Sequence, residues 1–306
     1  MFTFGEISLI ISAILWALAV VIFRLIGSHI SPNTLNGFKN TLGLICISST
    51  LLFLNKPLSI YSNPFHFSNL DLFKILLSGT IGMGIADIVY LKSLNKIGAG
   101  ATAIISLLFS PSVFLLSYIF LNESLTTLQF SGGLLIIMAV FITAKSNESI
   151  NINKDDYILG IVMGTVAIFM MAIALVIIKP VLDKVEADMI AQIWVVGYRL
   201  IPAAIVPIIF SIKSSYRLGK GIFSEFKNFP CWPQLIIGSL LATYFSITIW
   251  ILGIATTKAS IAAFINQSSS VFMFVFAYFI LNEKLTYKKL ISILAAALGI
   301  IMITYH

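Results

Sequence analysis

Ten apolar runs, each roughly 18–24 residues long, alternate with short polar stretches along the chain. They fall at residues 5–26, 33–54, 72–94, 99–121 and 128–144, then at 158–178, 189–212, 234–256, 259–281 and 289–305. Runs of that length cross a bilayer core as helices, because backbone amides in hydrocarbon must find their partners within their own segment. The alternating ten-residue segments of a membrane barrel are absent. The pattern predicts an all-α integral membrane protein with ten transmembrane helices. Its most polar stretch, KSNESININKDD, divides the chain into a first five-helix repeat (residues 1–146), a linker (147–156) and a second five-helix repeat (157–306). Residues 1–6 read MFTFGE, without the basic start of a signal peptide, so the first run is expected to stay as a span. The connector IKSSYRLGKGIFSEFKNFPCWP ends in the aromatic and proline residues common at a membrane interface.

Shifting the sequence by 160 positions lays LNESLT (121–126) on LNEKLT (281–286). The same shift pairs Ala99, Ala103, Ile105, Ser110, Phe114 and Tyr118 with Ala259, Ala263, Ile265, Ser270, Phe274 and Tyr278. About a third of positions 93–126 are identical across it, without gaps. Lys39 lands on Arg199 and Gly37 on Gly197. Apolar helices match easily by chance, so the polar hexapeptide carries the case for a repeat. With five spans per half, the second half enters the membrane inverted, the scaffold on which alternating-access carriers are built.

Composition narrows the alternatives. Apolar residues make up 59% of the 306 positions and charged ones 10%, with mean hydropathy +1.03, more apolar surface than a soluble domain can hide. The net charge of +7 comes from basic residues scattered singly between apolar runs, which suits loops facing anionic lipid and not a nucleic-acid surface. Cys46 and Cys231, and His29, His66 and His306, lie too far apart in the sequence for a metal site, so neither metal nor cofactor is expected. No phosphate-binding loop is present, which argues against direct drive by ATP.

The runs AGATAIISLLFSPSVFLLSYIFLNESLT followed by FSGGLLIIMAVFI, and ASIAAFINQSSSVFMFVFAYFILNEKLT followed by LISILAAALGIIMI, resemble the drug/metabolite transporter superfamily, specifically its EamA-type ten-helix exporters. A cation in the second helix of each copy, Lys39 and Arg199, also fits, and the resemblance spans essentially the whole chain. It departs where the residue before the turn glutamate, often Gly in that family, is Asn122 and Asn282, and where Pro111 faces Val271. The resemblance implies a transporter. Its relatives export or import amino acids, nucleotide-like metabolites, sugars and drugs, so the substrate stays open.

Polar residues inside the spans are the candidate site, because an ionised side chain in hydrocarbon costs about 2.5–3.5 kcal/mol on insertion scales. Asp87 either couples protons, or balances a cationic substrate, or pairs with Lys39 to lock two helices. Lys39 and Arg199 either hold a substrate anion or gate, or snorkel to headgroups, with snorkelling the simpler reading. Asn266, Gln267, Ser268, Ser269 and Ser270 form five successive polar residues within a span, expected to wall a cavity opposite Ser106 and Ser110. Interhelical hydrogen bonding is the plainer alternative for them. Ser110–Pro111 should kink the fourth span near its middle. Trp16, Tyr90 and Tyr244 lie deeper than an interfacial belt and join the candidate wall, whereas Trp194 and Trp250 fit a belt or a cavity equally. Glu123 and Glu283, with Thr126 and Thr286, read as caps for the following helices.

The functional expectation is a secondary active transporter of a small metabolite, such as an amino acid, its derivative or a drug-like amphiphile, exporting or exchanging it by alternating access. The alternatives are a passive, channel-like permease and a membrane-embedded enzyme, and no nucleophile elbow, His-rich motif or paired carboxylates favour the enzyme. The expected setting is multi-pass in a cell membrane, bacterial inner membrane by preference, as a monomer or homodimer. Lys56, Lys74, Lys179, Lys184 and Lys258 share the side of the termini, while most other cations lie opposite. That bias would place the termini outside, whereas the resembling family keeps them cytoplasmic.

Overall fold

The computed structural model describes residues 3–58, 65–122, parts of 126–138, 153–217, 224–282 (228 excepted) and 287–304. Among these residues the chain is helical with no strand. Helix α1 covers Phe4–Ile26 and α2 Pro32–Phe53; α3 covers residues 69–97 and α4 residues 99–120, parted by Gly98. Helix α5 begins at 127 and is described in part. The second half runs α6 (Lys154–Asp183), α7 (Met189–Arg217), α8 (Trp232–Ala255), α9 (Ala259–Leu281) and α10 (Tyr287–Thr304). Six helical stretches among the described residues are long and apolar enough to cross a membrane, counting 69–106 as one.

Helix ends follow from local chemistry. Thr3 and Glu6 form a reciprocal capping box at the start of α1, and Ser68 and Asp71 form another at the start of α3. Gly98 has φ 82°, a left-handed conformation that glycine adopts freely, and so turns the chain from α3 into α4 in a single residue. The tight turns after α4 and α9 use the same region through Asn122 (φ 54°) and Asn282 (φ 53°). Asparagine is one of few residues with a Cβ that visit it routinely, which accounts for Asn standing where the resembling family often has Gly. The carbonyl of Thr126 accepts the first helical bond of α5, from Phe130. Glu123, Glu283, Thr286 and most of the expected linker lie outside the described residues.

Two irregularities recur with the 160-residue period. Helix α3 passes through π-helix over Gly79–Ala86, and α8 does so over Leu240–Ser246, so that each amide reaches one residue further back than in an α-helix. Helix α4 breaks at Leu107–Leu108, whose amides bond only three residues back, and α9 breaks in the same way at Gln267. The break in α4 sits where the ring of Pro111 would crowd the carbonyl four residues earlier, four residues before the proline and not at it. Helix α9 breaks at the equivalent place without a proline. The break therefore belongs to the repeat, and Pro111 only reinforces it.

The halves interleave. Helix α1 packs on α8 and α9, α6 packs on α3 and α4, and α2 runs along α7. Helices α4 and α9 cross at the centre through two equivalent hydrogen bonds. Ser110 Oγ donates to the Ala263 carbonyl (3.0 Å) and Ser270 Oγ donates to the Ala103 carbonyl (2.9 Å). Identical residues of the repeat thus form this central link between the two copies.

Two stability outcomes follow, both read by thermal unfolding in detergent. Asn282→Val should destabilise by about 1–2 kcal/mol, because a branched Cβ is strained at positive φ, while Asn282→Gly should change little. Ser110→Ala and Ser270→Ala should each cost about 0.6 kcal/mol and match one another, since they remove equivalent interhelical bonds.

Candidate functional site

The irregular backbone lines a central cavity of about 120 Å³. Its wall is built from pairs of residues 160 apart. Asp87, Tyr90, Ser106 and Phe109 come from α3 and α4; Ile247, Trp250, Asn266 and Ser269 stand at the equivalent places in α8 and α9. Helix α1 adds Ser12 and Trp16, α6 adds Met171 and its neighbours, and α7 adds Arg199. The geometry is symmetric. The chemistry is not, because an acid faces an isoleucine and a phenylalanine faces a serine.

The π-segments and breaks explain why polar atoms gather here. Where the helical ladder is irregular, backbone carbonyls need other donors, and in a bilayer the protein must supply them. Asn36 Nδ2 donates to the carbonyls of Met83 (2.9 Å) and Gly84 (3.0 Å) in the π-segment of α3. Asn40 Nδ2 reaches Met83 (3.2 Å) and also the Ala203 carbonyl of α7 (2.9 Å). Beside them, Lys39 Nζ binds Asp87 Oδ2 at 2.6 Å and Asn40 Oδ1 at 3.1 Å. Lys39 and Arg199 are 2% and 6% exposed, so neither snorkels to a headgroup. Arg199 Nε donates to Ser78 Oγ (3.1 Å). Helix α7 lies so close to α3 at this level that a Cβ on Gly79 would sit 2.2 Å from the Arg199 carbonyl oxygen. The glycine is what lets the two backbones touch.

Of the residues singled out from sequence, Trp16, Asp87, Tyr90, Ser106, Asn266 and Gln267 line the cavity together with Arg199. Lys39 stands behind Asp87 as its ion-pair partner. Ser110 and Ser270 face the α4–α9 crossing, and the Tyr244 hydroxyl pairs with Thr50 Oγ1 (2.9 Å) on α2. Trp194 stacks on Tyr198 (3.8 Å) and Phe67 (5.6 Å), whereas Trp250 lines the cavity 6.3 Å from Phe109. Sequence reasoning passed over Ser12 and Ser246, which exchange side-chain-to-carbonyl hydrogen bonds of 2.9 and 3.1 Å between α1 and α8. Single serines in apolar runs give no signal. It also passed over Asn36 and Asn40, although Asn36, Lys39 and Asn40 at i, i+3 and i+4 mark one polar face within a span.

Ten helices in two inverted repeats, closed around a central cavity, define a multi-pass membrane protein. The model of the EamA-like transporter family matches residues 3–145 and 158–305. The chain belongs to that family, within the drug/metabolite transporter superfamily, and is a membrane transporter that works in a lipid bilayer on a small-molecule substrate. Among solved structures, 28 chains match. One crystal structure aligns with a TM-score of 0.71 at 12% identity, over 99% of this chain and 97% of that one, a likeness of fold alone. No curated protein matches in sequence.

Lys39→Met would leave Asp87 without its bonded partner, and breaking one side of a buried pair costs about 3–5 kcal/mol. The double variant Lys39→Met/Asp87→Asn should recover most of that loss. Thermal unfolding of the two variants in the same detergent checks the difference.

Proposed function

We propose that the protein is a secondary active transporter that moves a small metabolite with one polar and one apolar end, as an exporter or exchanger, by alternating access. The observation that carries this reading is the paired wall. Each half contributes equivalent positions to one cavity, and the helices that supply them bend or break at equivalent places. Two such halves can rock about a fixed site, exposing it to one side and then the other. The π-segments and the breaks of α4 and α9 are natural flexing points, because their backbone hydrogen bonds are already irregular.

Within this reading residues 1–146 and 157–306 are the two moving repeats, and the protein acts in a bacterial inner membrane as a monomer or homodimer. Trp16, Tyr90, Ser106, Asn266 and Gln267 contact the solute, Asp87 is the candidate for proton exchange, and Lys39 and Arg199 set its charge. Ser110, Ser270 and Tyr244 serve as struts between helices.

Purified protein in liposomes should show saturable counterflow of a preloaded solute, which a channel does not. A broad metabolite panel that gives no counterflow under any ion gradient would sink the proposal. In Asp87→Asn the dependence of transport on a pH gradient should disappear while counterflow persists. An unchanged pH dependence would remove Asp87 from coupling.

A further inference from the structure

The charges around the cavity do not balance. Among the described residues Asp87 and Arg199 are the charged side chains in its wall, and Lys39 lies directly behind. Asp87 is held by Lys39 at 2.6 Å, so using it as the counter-ion of an ammonium group means competing with a buried ion pair. At the equivalent place in the second half stands Ile247, which offers nothing to a cation. Two buried cations and one buried anion leave the cluster with a net positive charge.

The unused hydrogen-bonding capacity has the same sign. Guanidinium carries five N–H donors in a planar fork suited to a carboxylate. Arg199 commits Nε to Ser78, and no carboxylate among the described residues lies within salt-bridge distance of it. Its terminal nitrogens extend towards Gly82, where a Cβ would come within 4.0 Å of Nη2, and Gly82 is itself part of the cavity wall. Gln267, 2% exposed at the break in α9, has its Nε2 buried without a hydrogen-bond partner. A buried donor left open in this way, as Gln267 Nε2 is, is costly unless a ligand fills it. The rest of the wall (Trp16, Phe109, Trp250 and Met171 among it) is apolar and aromatic.

We infer that the cavity takes a small organic carboxylate with an apolar or aromatic body, bound through Arg199, and prefers it to the amino acid or the amine of the same skeleton. This rests on the reading of the cavity as the solute site. The carboxylate satisfies the guanidinium fork in a charge-assisted, bidentate manner, while an added ammonium group meets the net positive charge of the cluster. Gln267 supplies a further donor for a second oxygen on the acid.

Trp16 and Trp250 make the test direct, because their fluorescence reports on occupancy of the cavity. The purified protein in detergent is titrated with two matched series: 3-phenylpropionate, phenylalanine and 2-phenylethylamine, then hexanoate, norleucine and pentylamine. In at least one series the carboxylate should bind about tenfold or more tighter than the amino acid, with the amine weakest. Arg199→Gln should abolish carboxylate binding and Arg199→Lys should weaken it while keeping the charge. The ranking in the unaltered protein tests the inference even if a variant does not fold. Equal or tighter binding of the amino acid or amine, no binding of any of the six, or full carboxylate affinity in both variants would overturn it. Counterflow separates this inference from the one beneath it. Exchange of phenylalanine or the amine but not of the carboxylate leaves a transporter and removes the anion site. Arg199-dependent binding without exchange leaves the anion site and removes the transporter.

Discussion

Backbone amides and carbonyls inside a bilayer have no water to turn to, and the architecture of this protein follows from how it meets that demand. Regular helices meet it by themselves. The segments that depart from regularity, the π-segments of α3 and α8 and the breaks of α4 and α9, need help from elsewhere and are tolerated only in the interior. They are where the cavity is. Asn36 and Asn40 show the arrangement at close range, since their amides reach carbonyls of the α3 π-segment and of α7 and so tie the second helix of each half to that segment. The central cavity is thus the region where backbone irregularity has been gathered and satisfied.

The repeat separates two tasks that are usually entangled. Identical residues, such as Ala103 with Ala263 and Ser110 with Ser270, form the crossing of α4 and α9 and fix its geometry on both sides. Differing residues, such as Asp87 with Ile247 and Ser106 with Asn266, sit at equivalent places around the cavity and supply its chemistry. A symmetric frame can therefore carry an asymmetric cavity, because the identical pair at the α4–α9 crossing is not the pair that differs in the cavity wall.

The helices, the repeat and the family were legible in the sequence, since hydropathy and a polar hexapeptide are properties of the chain alone. Much of the cavity wall was legible for a related reason: Asp87, Tyr90, Asn266 and Gln267 are polar where hydrocarbon would penalise them. Direction was not. Ser110 and Ser270 are as polar as Ser106, but which way each points depends on where α4 and α9 break, and α9 breaks without a proline to announce it. Tyr244 likewise looked like a cavity residue by depth, but its hydroxyl pairs with Thr50 on α2, a contact that appears only once α2 and α8 are brought together. Lys39 and Arg199 read as snorkelling cations only while their helices were considered singly. The pairing of α2 and α7 with α3 removes that option by burying both.

The buried trio of Lys39, Asp87 and Arg199 bears on the membrane voltage. A carrier whose empty site is positive and whose loaded site is neutralised by an anion moves net charge only on the empty return. Voltage acts on a full elementary charge crossing the membrane with about 2.3 kcal/mol per 100 mV. In such a carrier the potential would act on the empty leg, helping or opposing it according to the direction of transport, and leave the loaded leg nearly unaffected, because the excess charge of the trio is cancelled only when the anion is bound.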